Sequence, residues 1–315
     1  MDLSEPLHYL SIDRAGNLIR DGKLSSVDLT ESYLERIDQL NPILHSYITV
    51  NGNAARKDAK AMDMEIARGR YRGPLHGIPL AFKDLVDTAG LATTYGSKAF
   101  KDRVPSKDAT LVTRLKAAGC INLGKLTMSE LAMVGPPNLG KETLNPWNTS
   151  HAPGGSSSGS ATAVAAGLCA GSIGSDTGGS IRFPAANNNL VGLMPTYGRV
   201  SRNGVMPLSW TLDHVGPMTR TVEDAAIILH AISGFDPADR TTSTKSVGAF
   251  RSDLTADIRG LEIGILEDSL IDIDFEIGDA IERSIRAFAS LGARVRPVRI
   301  PNYRVLHIAN SIIYL

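Results

Sequence analysis

The sequence predicts an α/β fold around a largely buried sheet. Short apolar runs of strand length alternate with helix-length amphipathic segments along most of the chain, a pattern that packs helices against a sheet. Apolar residues make up 43% and charged residues 21% of the 315 positions, the balance of a globular rather than a disordered chain. No internal repeat or low-complexity tract breaks the pattern.

The elements follow in order. Ser26 to Leu40 places Leu29, Tyr33, Leu34, Ile37 and Leu40 at helical spacing. Asn53 to Arg68 is a second helix, ended by Gly69. Gly73 to Pro79 is turn-rich and leads into a strand at Leu80–Lys83. A helix at Ala109–Ala118, closed by Gly119, precedes a short strand at Ile121–Leu123. Ser157 to Ala166 is a helix of small residues that lets backbones approach closely, and Leu168–Ser175 is a buried strand. Thr221 to Ile232 is a helix with Thr221 and Asp224 placed as a capping pair and Gly234 beyond its end. A strand at Leu261–Leu266, a helix at Glu276–Leu291 and a strand at Arg294–Ile300 complete the alternation. The polar segment Asp236–Asp253 reads as an exposed excursion.

Composition narrows the function. Lys plus Arg and Asp plus Glu both number 33, so no charge excess points to nucleic acid or to a membrane surface. No uncharged apolar stretch reaches 18 residues, and 161–174 is a glycine-broken run of small residues, hence a core segment. Met1-Asp-Leu-Ser-Glu-Pro6 lacks the basic-then-apolar order of a signal peptide. Cys120 and Cys169 are too few for a disulfide scaffold and fit small buried side chains in a reducing compartment. The expected location is therefore the cytoplasm. The seven histidines show no metal-ligand spacing, so neither metal nor cofactor is expected. His76 and His214 are expected to be structural or pocket-lining.

The chemistry concentrates in two serine-rich glycine turns, Gly154-Gly-Ser-Ser-Ser-Gly-Ser160 and Ser175-Asp-Thr-Gly-Gly-Ser180, with Lys83 upstream in Gly77-Ile-Pro-Leu-Ala-Phe-Lys-Asp84. A serine hydroxyl needs a base, and a buried neutral lysine can be one. An ordinary lysine titrates near 10.4 and must be brought to about 7–8 for that role. The apolar flanks Pro79-Leu-Ala-Phe82 and Leu85-Val86 supply a setting for it; the competing reading is a strand-end lysine with its amine in water. Glycine-turn N–H groups can stabilise an oxyanion, whereas the plain alternative for Asp-Thr-Gly-Gly-Ser is a tight turn. Gly155-Ser-Ser-Ser-Gly159 also fits a nucleophile elbow, but that motif needs a preceding strand, and Asn145–Pro153 reads as loop. A phosphate cradle is disfavoured, because no Walker-type or dinucleotide-type glycine pattern is present.

Together, Gly73-Pro-Leu-His-Gly-Ile-Pro-Leu-Ala-Phe-Lys-Asp84, the 154–160 turn, Gly174–Ala185, Pro195–Ser201 and Leu212–Arg220 resemble the amidase signature family. The match runs from about residue 5 to the end of the chain, with its motifs in order. The resemblance implies a central mixed, twisted sheet flanked by helices, in a single domain over 1–315. It also implies a Ser-Ser-Lys triad: Ser180 as nucleophile, Ser156 as a bridging serine after a cis peptide, and Lys83 as base. Thr177, Gly178 and Gly179 are the implied oxyanion donors, and Asp176 and Arg182 the pair that shapes the turn. The family usually carries glycine where Ser158 stands and a more apolar stretch at Asn187-Asn-Asn189.

The implied function is hydrolysis of a carboxylic amide or urea-like C–N bond through a Ser180 acyl-enzyme, without a cofactor. Two alternatives stand beside it. One is the amide-hydrolysing subunit of a tRNA-dependent amidotransferase, against which Pro207–His214 argues. The other is a catalytically silent binding or scaffold protein. The expected partner is a small-molecule amide. No nucleic acid or membrane is expected, and a homodimer is left open. Ile308–Leu315 reads as the start of a helix that the family continues, so the expectation is that 1–315 is not the whole folded unit.

Overall fold

In the computed structural model, which describes residues 5–133, 135–255, 257–267 and 273–314, six strands form the sheet of a larger unit, Met1–Arg251. They are β1 (Tyr47–Val50), β2 (Pro79–Lys83), β3 (Ile121–Leu126), β4 (Gly171–Asp176), β5 (Val191–Gly192) and β6 (His214–Thr219), in the order β1-β3-β2-β4-β6-β5. β2 runs parallel to β3 and β4, while β1, β6 and β5 pair antiparallel to their neighbours. The sheet is mixed, as expected. Every residue of β2, β3 and β4 is buried, the condition of a sheet covered on both faces.

Helices α1 (Ile12–Arg20), α2 (Ser26–Leu44), α3 (Gly52–Ala67), α4 (Thr110–Ala117), α5 (Ser158–Ala165), α6 (Arg182–Asn187) and α7 (Val222–Ile232) complete this unit. Local chemistry sets their ends. Ser25 Oγ accepts the Asp28 N–H at 2.9 Å and opens α2; Thr221 Oγ1 accepts the Asp224 N–H at 3.1 Å and opens α7, satisfying donors that a helix start leaves free. The α2 helix outruns its expected end at Leu40, carries Pro42 in its last turn and stops at His45 in the left-handed region. Helix α5 lies so close to its neighbours that a Cβ on Gly159 would come within 2.4 Å of the Ser46 carbonyl oxygen. That approach is why the helix is built of small residues.

The expectation for Asp236–Asp253 is corrected at its start. Asp236 is buried, and its Oδ2 accepts the hydroxyls of Thr110 at 2.6 Å and Ser201 at 2.5 Å. Both cysteines are buried and unbridged. A smaller unit, Ser252–Leu315, contains the parallel pair β7 (Glu262–Leu266) and β8 (Arg294–Val298) with α8 (Phe275–Ser290) and α9 (Tyr303–Tyr314). The expected helix near the chain's end is thus present to Tyr314; Leu315, like residues 1–4 of the N-terminal reading, lies outside the described residues. Among the described residues no helix is long and apolar enough to cross a membrane.

Candidate active site

The sheet order brings the carboxyl ends of β2 and β4 side by side, with Phe82 opposite Ile173. Open α/β sheets build their sites at such strand ends. Lys83 closes β2 and is fully buried. Its Nζ donates to Ser156 Oγ at 2.7 Å and to Ser175 Oγ at 2.9 Å. Burial pulls this lysine down to about 7, against the opposing pull of the Asp176 and Asp213 carboxylates. The reading of an amine in water is therefore excluded.

Ser156 sits in an irregular turn between residue 145 and α5, with no strand before it, so the nucleophile elbow is excluded too. The Gly155–Ser156 peptide is cis. The turn is fastened on both sides. Ser129 N–H donates to the Ser156 carbonyl at 3.2 Å, and the Ser157 hydroxyl donates to the Ser175 carbonyl at 3.3 Å. Ser158 begins α5 outside the left-handed region, with its hydroxyl 3.4 Å from Thr143 Oγ1. No glycine is needed there.

Asp176 shapes the second turn. Its carboxylate accepts N–H groups of Gly179 at 2.7 Å, Ile181 at 3.3 Å and Arg182 at 3.4 Å. The Arg182 guanidinium adds bonds at 2.9 and 3.0 Å. Burial alone would push Asp176 up, but Arg182 and these N–H groups hold it below its ordinary value. Gly179 adopts φ +124°, a conformation that favours glycine. The Gly179 N–H, one of the expected oxyanion donors, is bonded here to the Asp176 carboxylate. The N–H groups of Thr177, Gly178 and Ser180 make no hydrogen bond among the described residues. Ser180 is half-buried at the end of the turn, and its hydroxyl makes none either. The structure thus joins Lys83 to Ser156 but does not hydrogen-bond Ser156 to Ser180, a link that in a site without substrate is often long.

Four contributors escaped sequence reasoning. Ser175 is a second hydroxyl on the lysine; strand alternation, which turns Ser175 and Ile173 to the same face, is the signal that could have found it. Lys125, fully buried, donates from Nζ to the Val86 carbonyl and to Thr93 Oγ1 at 3.0 Å, and burial brings it down to about 8. Beside it, Asp84 Oδ2 accepts from Thr94 N at 3.0 Å, Thr94 Oγ1 at 2.5 Å and Gly96 N at 3.3 Å. These two residues brace the loop that follows β2. Asn188, also fully buried, donates from Nδ2 to the Pro153 carbonyl at 2.7 Å and the Pro184 carbonyl at 2.8 Å. It latches the first serine turn to the helix that follows the second. His76 is buried with Nε2 3.0 Å from the Met62 carbonyl, a structural placement. No group of three or more His, Cys, Asp or Glu side chains suited to a metal occurs among the described residues.

With this geometry in hand, comparison decides the family. The profile of the family described as Amidase matches residues 28–315. The chain belongs to the amidase family. Among curated family members, a glutamyl-tRNA(Gln) amidotransferase subunit of Roseiflexus sp. (strain RS-1) is 44% identical over 299 residues, covering 94% of this chain and 61% of that protein. Among solved amidase structures, the native peptide amidase of Stenotrophomonas maltophilia superposes with a TM-score of 0.90 at 41% identity, covering 97% of this chain and 65% of that one. The corresponding glutamyl-tRNA(Gln) amidotransferase subunit from Thermotoga maritima superposes with a TM-score of 0.88 at 34% identity, covering 100% and 66%. The chain therefore spans somewhat under two thirds of the length of these relatives.

Proposed function

We propose that this protein is a serine amidase that cleaves a carboxylic amide C–N bond through an acyl-enzyme on Ser180. The observation that carries the reading is the sealed Lys83 amine, 2.7 Å from Ser156 Oγ and brought down to about 7. Once neutral, the amine keeps two N–H donors and gains a lone pair. It can then donate to Ser175 and accept the Ser156 proton, as Ser156 accepts the proton of Ser180. Ser180 Oγ attacks the amide carbon, and the electron pair of the carbonyl moves onto oxygen. The N–H groups of Thr177 and Gly178, with that of Ser180, are the donors available to that oxyanion. Collapse of the adduct breaks the C–N bond, and the leaving amine takes the proton back through Ser156. Water then repeats the attack and releases the acid. No step calls on a metal or cofactor.

The test is product release. Ammonia or amine should appear from simple amides with wild-type enzyme and fall by at least about 10³-fold in Ser180→Ala, the scale of losing a nucleophile. Undiminished turnover in that variant would remove the assignment.

The curated relatives, named as amidotransferase subunits, favour one second reading: glutamine hydrolysis inside a multi-subunit assembly. Glutaminase activity that appears only when partner subunits are added would support it. Activity of the isolated chain on other amides speaks for the first reading.

A further inference from the structure

Next to the Lys83 site, within the larger unit, a pocket opens between the second glycine turn and the segment 205–215. Ser175 and Thr177 line its catalytic side, and Leu85, Val205, Met206, Leu208 and Trp210 give it apolar walls. Its ionisable lining groups are Arg202, Asp213 and His214, and the first two are bonded within the protein. Arg202 donates to the Trp210 carbonyl at 2.5 Å, to Tyr197 Oη at 2.8 Å and to Thr241 Oγ1 at 3.0 Å. Asp213 accepts the Thr177 hydroxyl at 2.6 Å and the N–H groups of Leu208 and Ser209 at 2.8 and 3.0 Å. His214 Nδ1 lies 2.6 Å from the Leu212 carbonyl and so carries a proton toward it. An α-ammonium or α-carboxylate entering here must compete with these bonds for Asp213 or Arg202, and a buried unpaired charge is costly.

The apolar wall, by contrast, presents a bare aromatic ring. Trp210 is 74% exposed, although its carbonyl is fixed by Tyr197 Oη at 2.9 Å and by Arg202. An indole anchored through its backbone and left bare at a pocket mouth is a contact surface for an apolar group. The Thr177–Asp213 bond ties this wall to the turn that ends in Ser180. We infer that the substrate is an uncharged amide carrying a compact apolar group, seated against Met206, Leu208 and Trp210. The inference rests on the serine-amidase reading above and deepens it by naming the substrate class.

The test uses the full-length enzyme and measures kcat/KM for acetamide, propionamide, butyramide and benzamide beside glutamine and asparagine. The pocket predicts a rise of about fourfold per added methylene, from the transfer of that group out of water, with glutamine at least about tenfold below butyramide. Met206→Ser and Trp210→Ala should flatten the size dependence. A flat series, or glutamine overtaking butyramide, while Ser180→Ala still abolishes turnover, would overturn the apolar pocket and leave amide hydrolysis standing. No hydrolysis of any amide, together with no fluorophosphonate adduct at Ser180, would remove the amidase reading and this inference with it.

Discussion

An amine sealed from water loses the solvation that keeps an ordinary lysine charged, and at Lys83 that loss outweighs the attraction of Asp176 and Asp213. The base form grows as pH rises through about 7. The expected kcat/KM profile therefore climbs through neutral pH and levels on the alkaline side. A profile without that acid limb would detach Lys83 from proton transfer. Asn188 gives a second test at this scale. Asn188→Ala leaves the Pro153 and Pro184 carbonyls without their donor, and unmet buried acceptors cost about 1–3 kcal/mol. Urea unfolding should show that loss. Lys83, Ser156 and Ser180 could be singled out as candidates because glycine and serine punctuation carries a specific pattern. Ser175 and Asn188 were not, because a serine inside a strand and an asparagine after a helix look alike whether they face solvent or a buried amine or carbonyl.

The same contrast holds among elements. β2 and β4 declared themselves as apolar runs, but β3 was legible only to Leu123 because Lys125 looks like a strand end. The structure continues the strand to Leu126 and buries that lysine. β6 was hidden because Gly216-Pro217 argues for a turn, yet its position between β4 and β5 makes it a strand. Helix α1 was also hidden; its short amphipathic pattern lies among polar residues. The close approach around α5 yields a prediction of its own. Gly159→Ala forces a methyl against the Ser46 carbonyl oxygen at 2.4 Å and Thr127 N at 2.6 Å. Overpacking of this kind costs about 1–3 kcal/mol, and because α5 carries the turn of Ser156, activity should fall along with the urea midpoint. An unchanged midpoint would mean that α5 is less tightly held than the structure shows.

At the scale of the molecule, two buried lysines make stability depend on pH. Lys83 and Lys125 titrate near 7 and 8 when folded, against about 10.4 in an unfolded chain. Between those values the unfolded chain binds more protons, so stability rises with pH. Below about 7 both amines are charged in the core and the full cost is present; it is relieved as pH climbs toward 10. Each lysine contributes a slope of about 1.4 kcal/mol per pH unit in its window. Lys83→Met and Lys125→Met should each remove one such share of the rise, read from urea unfolding between pH 6 and pH 9.5. Parallel curves for wild type and variants would show that these amines keep their ordinary proton affinity. The same sealed amine underlies the proposed activity, and a fluorophosphonate probe reads it most directly. Intact-mass and peptide analysis of the treated full-length protein should find one adduct, on Ser180, forming faster as pH rises through about 7 and nearly absent in Lys83→Met. An adduct on another serine, or labelling of Ser180 that is indifferent to Lys83, would contradict the account.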